Sequence, residues 1–240
     1  MPTTRRPDAS ITAAAFPQAG GGCAAFAEHA RAMPDWLQLT TLSLPGRQAR
    51  FSEPLRTDFE TLTAELAAYW AQRPGRCLFF GYCSGALLAY RVTCLLRDHG
   101  APMPKRLVVG AHKPPHLAAG ESLADLDSQT LLEVLVTNQA IPAQLSAYPE
   151  MWELNERIVR ADLALVAGYR HVRIPPLPIP ITVLAGERDH WLTPDDISAW
   201  AEYTTQHIEV RWLPTGHWFM QEDPAAATAA LVAAAAAVGD

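Results

Sequence analysis

The chain has 240 residues, is 49% hydrophobic and 18% charged, and carries a formal net charge of −6. This composition excludes an intrinsically disordered chain, and the length suits one α/β domain with a large core. The acidic balance weighs against nucleic acid as the main partner. The four cysteines, Cys23, Cys77, Cys83 and Cys94, form no CxxC pair and no metal-ligand spacing, so they read as free thiols of a reducing compartment.

The N-terminal Arg5 and Arg6 are followed by Pro7, Asp8 and only a short apolar run, so no secretory signal is expected. The predicted strand Ile11–Phe16 runs into the Gly-rich "FPQAGGG", Phe16–Gly22. A loop of this kind after an early strand can aim a backbone amide, here that of Gln18 or Ala19, at an oxyanion. A predicted helix Cys23–Ala32, strand Leu37–Leu42 and helix Phe59–Gln72 follow. The next strand, Cys77–Phe80, meets Gly81-Tyr82-Cys83-Ser84-Gly85 and turns into the predicted helix Gly85–Asp98.

That turn has the G-x-nucleophile-x-G form of a nucleophile elbow, which strains the nucleophile's backbone and needs small residues two positions either side. Gly81 and Gly85 satisfy this register for Cys83. Were Ser84 the nucleophile, bulky Tyr82 would occupy a flanking position. The amide of Ser84, following the nucleophile, then faces the reacting carbonyl oxygen. A free thiol has a pKa of about 8.5, and a helix N-terminus with a nearby imidazole favours its thiolate.

After the predicted strand Arg106–Gly110 the alternation of strand and helix stops. Helical patterns at Leu131–Asn138 and Trp152–Ala167 and the Pro-rich "RIPPLPIP", Arg173–Pro180, define an insertion of about residues 117–180, expected to be a lid over the strand ends. The strand Ile181–Ala185 is broken by Gly186, and Asp189 follows in the loop. There a carboxylate can orient a histidine. A helix Pro194–Tyr203 begins beside Asp195 and Asp196, which suit its capping. The last strand, Ile208–Leu213, is broken by Pro214–Gly216, and His217 sits in the following loop, where this fold order places the base. His190 is a weaker alternative. The Ala-rich stretch Ala225–Val238, part of the predicted helix Pro224–Val238, is too short and too weakly apolar to span a bilayer and is read as a helix on the core. The whole predicts a single α/β domain with a mostly parallel sheet flanked by helices, cytoplasmic and not membrane-bound.

Taken together, these segments resemble the type II, or external, thioesterases of nonribosomal peptide and polyketide synthesis. The matching pieces are "FPQAGGG", "LPGRQAR" (Leu44–Arg50), "FGYCSGALLAY" (Phe80–Tyr90), "PPHL" (Pro114–Leu117), "RADL" (Arg160–Leu163), "LAGERD" (Leu184–Asp189) and "GHWF" (Gly216–Phe219). The resemblance implies an α/β-hydrolase fold with a helical lid. It also implies an acyl or peptidyl thioester substrate on the phosphopantetheine arm of a carrier protein, with no cofactor and no metal. Carried over by motif, the nucleophile falls on Cys83, the acid on Asp189, the base on His217 and the oxyanion amides on Ala19 and Ser84. The chain is expected to act as a monomer on an acyl or peptidyl carrier protein. Arg47, Arg50, Arg56, Lys105, Arg106 and Lys113 are candidates for a basic docking face, with Arg47 also a candidate for an internal pair.

The elbow departs from the family pattern G-H-S-M-G by reading G-Y-C-S-G. A cysteine there keeps the acyl group as a thioester. Acyl transfer or cyclisation therefore competes with hydrolysis as the outcome, and a non-catalytic carrier-binding scaffold is the third reading.

Overall fold

Six short runs pair edge to edge, and those at the centre of the sheet are rich in residues that bury on both faces, while the last, an edge strand, is only partly buried. In the computed structural model they are β1 (Ile11–Phe16), β2 (Leu37–Thr41), β3 (Cys77–Tyr82), β4 (Arg106–Gly110), β5 (Ile181–Gly186) and β6 (Ile208–Leu213). They form one sheet in the order β2-β1-β3-β4-β5-β6, with every pairing parallel. The structure describes residues 8–73, 75–118, 123–141, 144 and 147–238. Arg5 and Arg6, and positions 119–122, 142–143 and 145–146 of the expected lid segment, lie outside the described residues.

Adjacent residues of a strand face opposite sides, so Phe79 and Phe80 serve different cores. Phe79 packs with Phe16, Leu62, Trp70 and Leu87, where α2 (Phe59–Ala71) and α3 (Ser84–Asp98) cover one face. Phe80 packs with Phe26, Leu184, Phe219 and Leu231 on the other face. That face is covered by α1 (Ala27–Ala32) and by the last helices, α7 (Phe219–Glu222) and α8 (Pro224–Ala236). The Ala-rich segment therefore packs on the core, and no described helix is long and apolar enough to cross a membrane.

The helices differ from expectation in three places. The segment Cys23–Ala32 starts as a 3₁₀ turn, Cys23–Phe26, before α1. The expected helix Pro194–Tyr203 divides into α6 (Pro194–Ser198) and a 3₁₀ turn, Ala199–Tyr203. The threefold repeat of the tighter turn puts Trp200 and Tyr203 on one side, and both are buried against Tyr90. Thr193 is the N-cap of α6 and Asp196 completes its capping box, while Asp195 takes no part. The Thr193 hydroxyl accepts from the Asp196 amide at 3.1 Å, while the Asp196 carboxylate accepts from the Thr193 amide at 2.9 Å. The four-residue α7 was not foreseen, being too short to show a period.

Between β4 and β5 stand α4 (Ser128–Thr137) and α5 (Pro149–Ala167), which share a small core of Leu131, Leu135, Trp152 and Val159. One buried ion pair ties this insertion to the sheet. Arg47 Nη1 and Nη2 each donate to the Asp162 carboxylate at 2.6 Å. Asp162 Oδ2 also accepts from the Gly20 amide at 2.8 Å, and Arg47 Nη1 donates to the Gly21 carbonyl at 3.0 Å. The "GRQAR" and "RADL" segments thus meet at the Gly-rich loop.

Five of the six residues considered for a basic docking face make ion pairs within the chain. Arg47 is buried against Asp162, Arg50 pairs with Glu53, Arg56 with Glu65, Lys113 with Asp196, and Arg106 is buried beside Thr182 and Glu209. Removing one partner of a buried pair strands the other charge, which costs about 3–5 kcal/mol. Asp162→Ala is therefore expected to lower the unfolding free energy by that order in urea titrations, whereas Glu53→Ala, at an exposed pair, should leave the urea midpoint essentially unchanged.

Candidate active site

The strand order changes direction between β1 and β3, which opens a crevice at the carboxyl ends of those strands. Cys83 sits there, between the end of β3 and the start of α3, with φ 50° and ψ −128°. Non-glycine residues rarely adopt such angles, and holding one costs about 1–3 kcal/mol. The turn survives because its neighbours have no side chain. A Cβ on Gly81 would lie 2.3 Å from the Ala86 Cα, and one on Gly85 would lie 2.1 Å from the Phe16 carbonyl oxygen. The Cys83 amide donates to the Gly110 carbonyl at 2.8 Å, which anchors the turn to β4. The Cys83 side chain is partly exposed, whereas Ser84 is the first residue of α3.

Asp189 and His217 come together because the β5–β6 pairing continues past the strands. The Glu187 amide donates to the Leu213 carbonyl at 2.8 Å and the Arg188 amide to the Thr215 carbonyl at 2.9 Å. The loops carrying the two residues therefore run side by side. His217 Nδ1–H donates to Asp189 Oδ2 at 2.7 Å, and Asp189 Oδ1 accepts from the Trp191 amide at 2.9 Å. The Asp189 side chain is only 1% exposed. Trp191 and Trp218 meet the imidazole edge-on, with ring centroids 4.3 Å and 4.8 Å away.

Burial alone would lower the His217 pKa. The hydrogen bond to Asp189 and the proximity of Cys83, with the charges of both groups, outweigh it, and the ring is held up at about 9. His217 Nε2 is buried and completes no hydrogen bond of its own, while Cys83 is near enough to raise the ring's proton affinity. Tyr82 replaces the residue expected before the nucleophile. Its hydroxyl donates to the His217 carbonyl at 3.0 Å, so β3 also supports the histidine loop. The amides of Gly20 and Gly21 are committed to Asp162 and to the Gln18 carbonyl. Neither the Ala19 nor the Ser84 amide has an acceptor among the described residues.

A thioesterase domain model matches residues 13–235. The chain belongs to the thioesterase domain family. This thioesterase is similar to the RedJ thioesterase from the prodiginine pathway of Streptomyces coelicolor, with 29% identity, a TM-score of 0.89 and coverage of 96% of this chain and 87% of that one. Over 210 residues it is 27% identical to the gramicidin S biosynthesis protein GrsT of Aneurinibacillus migulanus, covering 86% of this chain and 82% of the relative. It is 28% identical to the human medium-chain S-acyl fatty acid synthase thioesterase over 231 residues, covering 92% and 84% of the two chains. The resemblance to type II thioesterases read from the sequence therefore extends along nearly the whole thioesterase chain.

His112 was not singled out from the sequence. It follows β4, next to Ala111 with φ 51°, and its Nδ1 donates to the Lys113 carbonyl at 2.6 Å. Burial pushes its pKa down to about 4, and the positive charge of nearby His217 adds to this against the Lys113 hydrogen bond. A second imidazole thus stays neutral near the first. Its signal was a polar residue at a strand's carboxyl end, which the following Lys-Pro-Pro obscured. His190, by contrast, is exposed and makes no described contact with the Asp189 carboxylate.

The folded protein binds the His217 proton more tightly than the unfolded chain, whose histidine titrates near 6.5. The resulting stability is complete below about pH 6.5 and is lost as pH rises towards 9. Imidazole NMR titration is expected to place the His217 midpoint near 9 and to find it lowered in both Asp189→Asn and Cys83→Ala. The alkaline loss of stability should shrink in Asp189→Asn.

Proposed function

We propose that this thioesterase removes acyl or peptidyl groups from the phosphopantetheine arm of a carrier protein through an acyl-Cys83 intermediate, in nonribosomal peptide or polyketide biosynthesis. The observation that carries the reading is the left-handed backbone at Cys83, beside an imidazole oriented by a buried carboxylate at 2.7 Å. In the first step the Cys83 sulfur, as thiolate, adds to the thioester carbonyl. The Ala19 and Ser84 amides donate to the oxyanion, each worth roughly 3 kcal/mol. The tetrahedral adduct collapses by breaking the carbon–sulfur bond to the arm, and His217 gives its proton to the departing thiolate. In the second step His217 takes a proton from water, hydroxide adds to the acyl-Cys83 carbonyl, and the acid leaves as the Cys83 sulfur is released. Asp189 fixes the tautomer and stabilises the imidazolium. The arm enters as substrate, and the chain's own residues carry every step.

Acyl transfer to an amine, or cyclisation, is a second reading, favoured by the thiol at position 83. Exchange of one thioester for another conserves the acyl group's activation, which a seryl ester gives up. The α4–α5 insertion, acting as a lid, would then decide whether water or another nucleophile reaches the intermediate.

Intact-mass spectrometry after exposure to acyl-carrier thioesters is expected to find the acyl mass added at Cys83, with the product resolved in water and with an amine acceptor. Cys83→Ala should lose the adduct and reduce turnover on the order of 10⁶-fold. Asp189→Asn should lower kcat on the order of 10⁴-fold. Undiminished turnover in Cys83→Ala would sink the covalent mechanism, and absence of turnover with every thioester offered would leave a carrier-binding scaffold.

A further inference from the structure

A cavity of about 880 Å³ lies between the Gly-rich loop after β1 and the insertion helices α4 and α5. Six of its lining residues are carboxamides: Gln18, Gln48, Gln139, Gln144, Asn155 and Gln221. The whole chain holds nine glutamines and two asparagines, so more than half of them gather at this one cavity. Among the described lining residues Arg47 is the only charged one, and Asp162 cancels it through two 2.6 Å contacts. Most of the other lining residues are glycine, alanine and the aliphatic Val136, Ile141 and Ile158.

The hydrogen-bonding capacity of these side chains is only partly spent. Gln48 Oε1 accepts from the Cys23 amide at 2.9 Å, which leaves its amino group as a donor, and the Gln221 carboxamide lies 3.3 Å from the Tyr82 hydroxyl, whose own proton goes to the His217 carbonyl. Asn155 Nδ2 donates to the Met151 carbonyl at 2.7 Å, which leaves Oδ1 as an acceptor. Gln18 Oε1 is buried and has no donor among the described residues. It stands one residue from Ala19, so the polar end of the cavity adjoins the candidate oxyanion loop.

We propose that this cavity binds a neutral chain bearing secondary amides, with Gln18 Oε1 accepting an amide N–H and the Gln48 amino group donating to an amide carbonyl. A carboxamide presents a donor and an acceptor in one plane and matches a secondary amide on both counts. A charged ligand finds no counter-ion there. A plain alkyl chain leaves desolvated carboxamides unpaired, a defect that discriminates more strongly than a missing methylene does. The amides can belong to the acyl group or to the pantetheine arm. The inference deepens the thioesterase reading by naming the chemistry of its substrate.

The test uses the full chain and uncleavable thioethers in place of thioesters. Four ligands of equal length combine a pantetheine or an alkyl arm with a diamide or a decyl chain. Their affinities are measured by calorimetry for the parent and for Gln18→Met/Asn155→Leu, with circular dichroism to verify folding. The parent is expected to prefer an amide-bearing ligand over the all-alkyl one, and the double variant to reduce that preference at least tenfold. The half of the ligand whose amides matter identifies the source. A parent that binds the all-alkyl ligand as tightly as every other, or a preference unchanged in the folded variant, overturns the proposal. Should Gln18→Met fail to fold, Asn155→Leu and the parent's own ranking decide. Turnover of a simple acetyl-pantetheine thioester is followed separately. Turnover without amide preference sinks the cavity alone, and amide preference without turnover sinks the thioesterase reading alone.

Discussion

The backbone at Cys83 is held at φ 50° by groups on three strands, and the rest of the site is arranged around that one turn. The Gly110 carbonyl of β4 receives the Cys83 amide, the Phe16 carbonyl of β1 lies where a side chain on Gly85 would stand, and Gly81 of β3 has no side chain to strike Ala86. Relaxing Cys83 to an ordinary conformation would require these contacts to part, so the strain is outweighed by the sheet itself. The same contacts bring the Gly-rich loop and the start of α3 to the sulfur. One turn therefore sets the position of the proposed nucleophile and of the amides proposed to receive the oxyanion.

The histidine side of the site balances two opposed effects. Burial between Trp191 and Trp218 removes water from the imidazole and disfavours its charged form. The Asp189 carboxylate, itself almost fully buried, restores that charge through a short hydrogen bond, and the neighbouring sulfur adds to it. The two effects together leave the imidazole holding its proton more tightly than a free histidine does. His112 is kept neutral by the same low-dielectric surroundings, so the positive charge concentrates on His217.

Much of this was legible in the sequence because parallel strands buried on both faces write themselves as apolar runs, and all six were found within two residues of their ends. The elbow was legible for a steric reason. Only the register centred on Cys83 puts glycine at both crowded positions, and the clash distances at Gly81 and Gly85 express that same constraint. What the sequence concealed depended on distant partners. The splitting of the 194–203 helix follows from where Trp200 and Tyr203 are buried, and its cap passed to Thr193 because a hydroxyl and Asp196 could bond reciprocally. Arg47 and Lys113 find Asp162 and Asp196 only through folding, whereas Arg50 and Glu53 are three residues apart. Neither His112 nor the cluster of carboxamides has any local pattern, since each is assembled from separate loops and helices.

The thiol and the tethered insertion bear on the same question from two sides. An acyl group on sulfur stays activated, so its fate depends on which nucleophile reaches it more than on the intrinsic barrier to leaving. The α4–α5 insertion is attached to the rest of the chain by more than surface contact. Asp162 on α5 binds both the Arg47 guanidinium and the Gly20 amide in the loop that contains Ala19. Displacing α5 would therefore disturb the loop that would receive the oxyanion. Conversely, a ligand that seats against the loop from the cavity side would reinforce the position of α5. In a serine relative such coupling would chiefly tune binding. Under the proposed acyl-Cys83 route the same coupling would also bear on the partition between water and a larger acceptor.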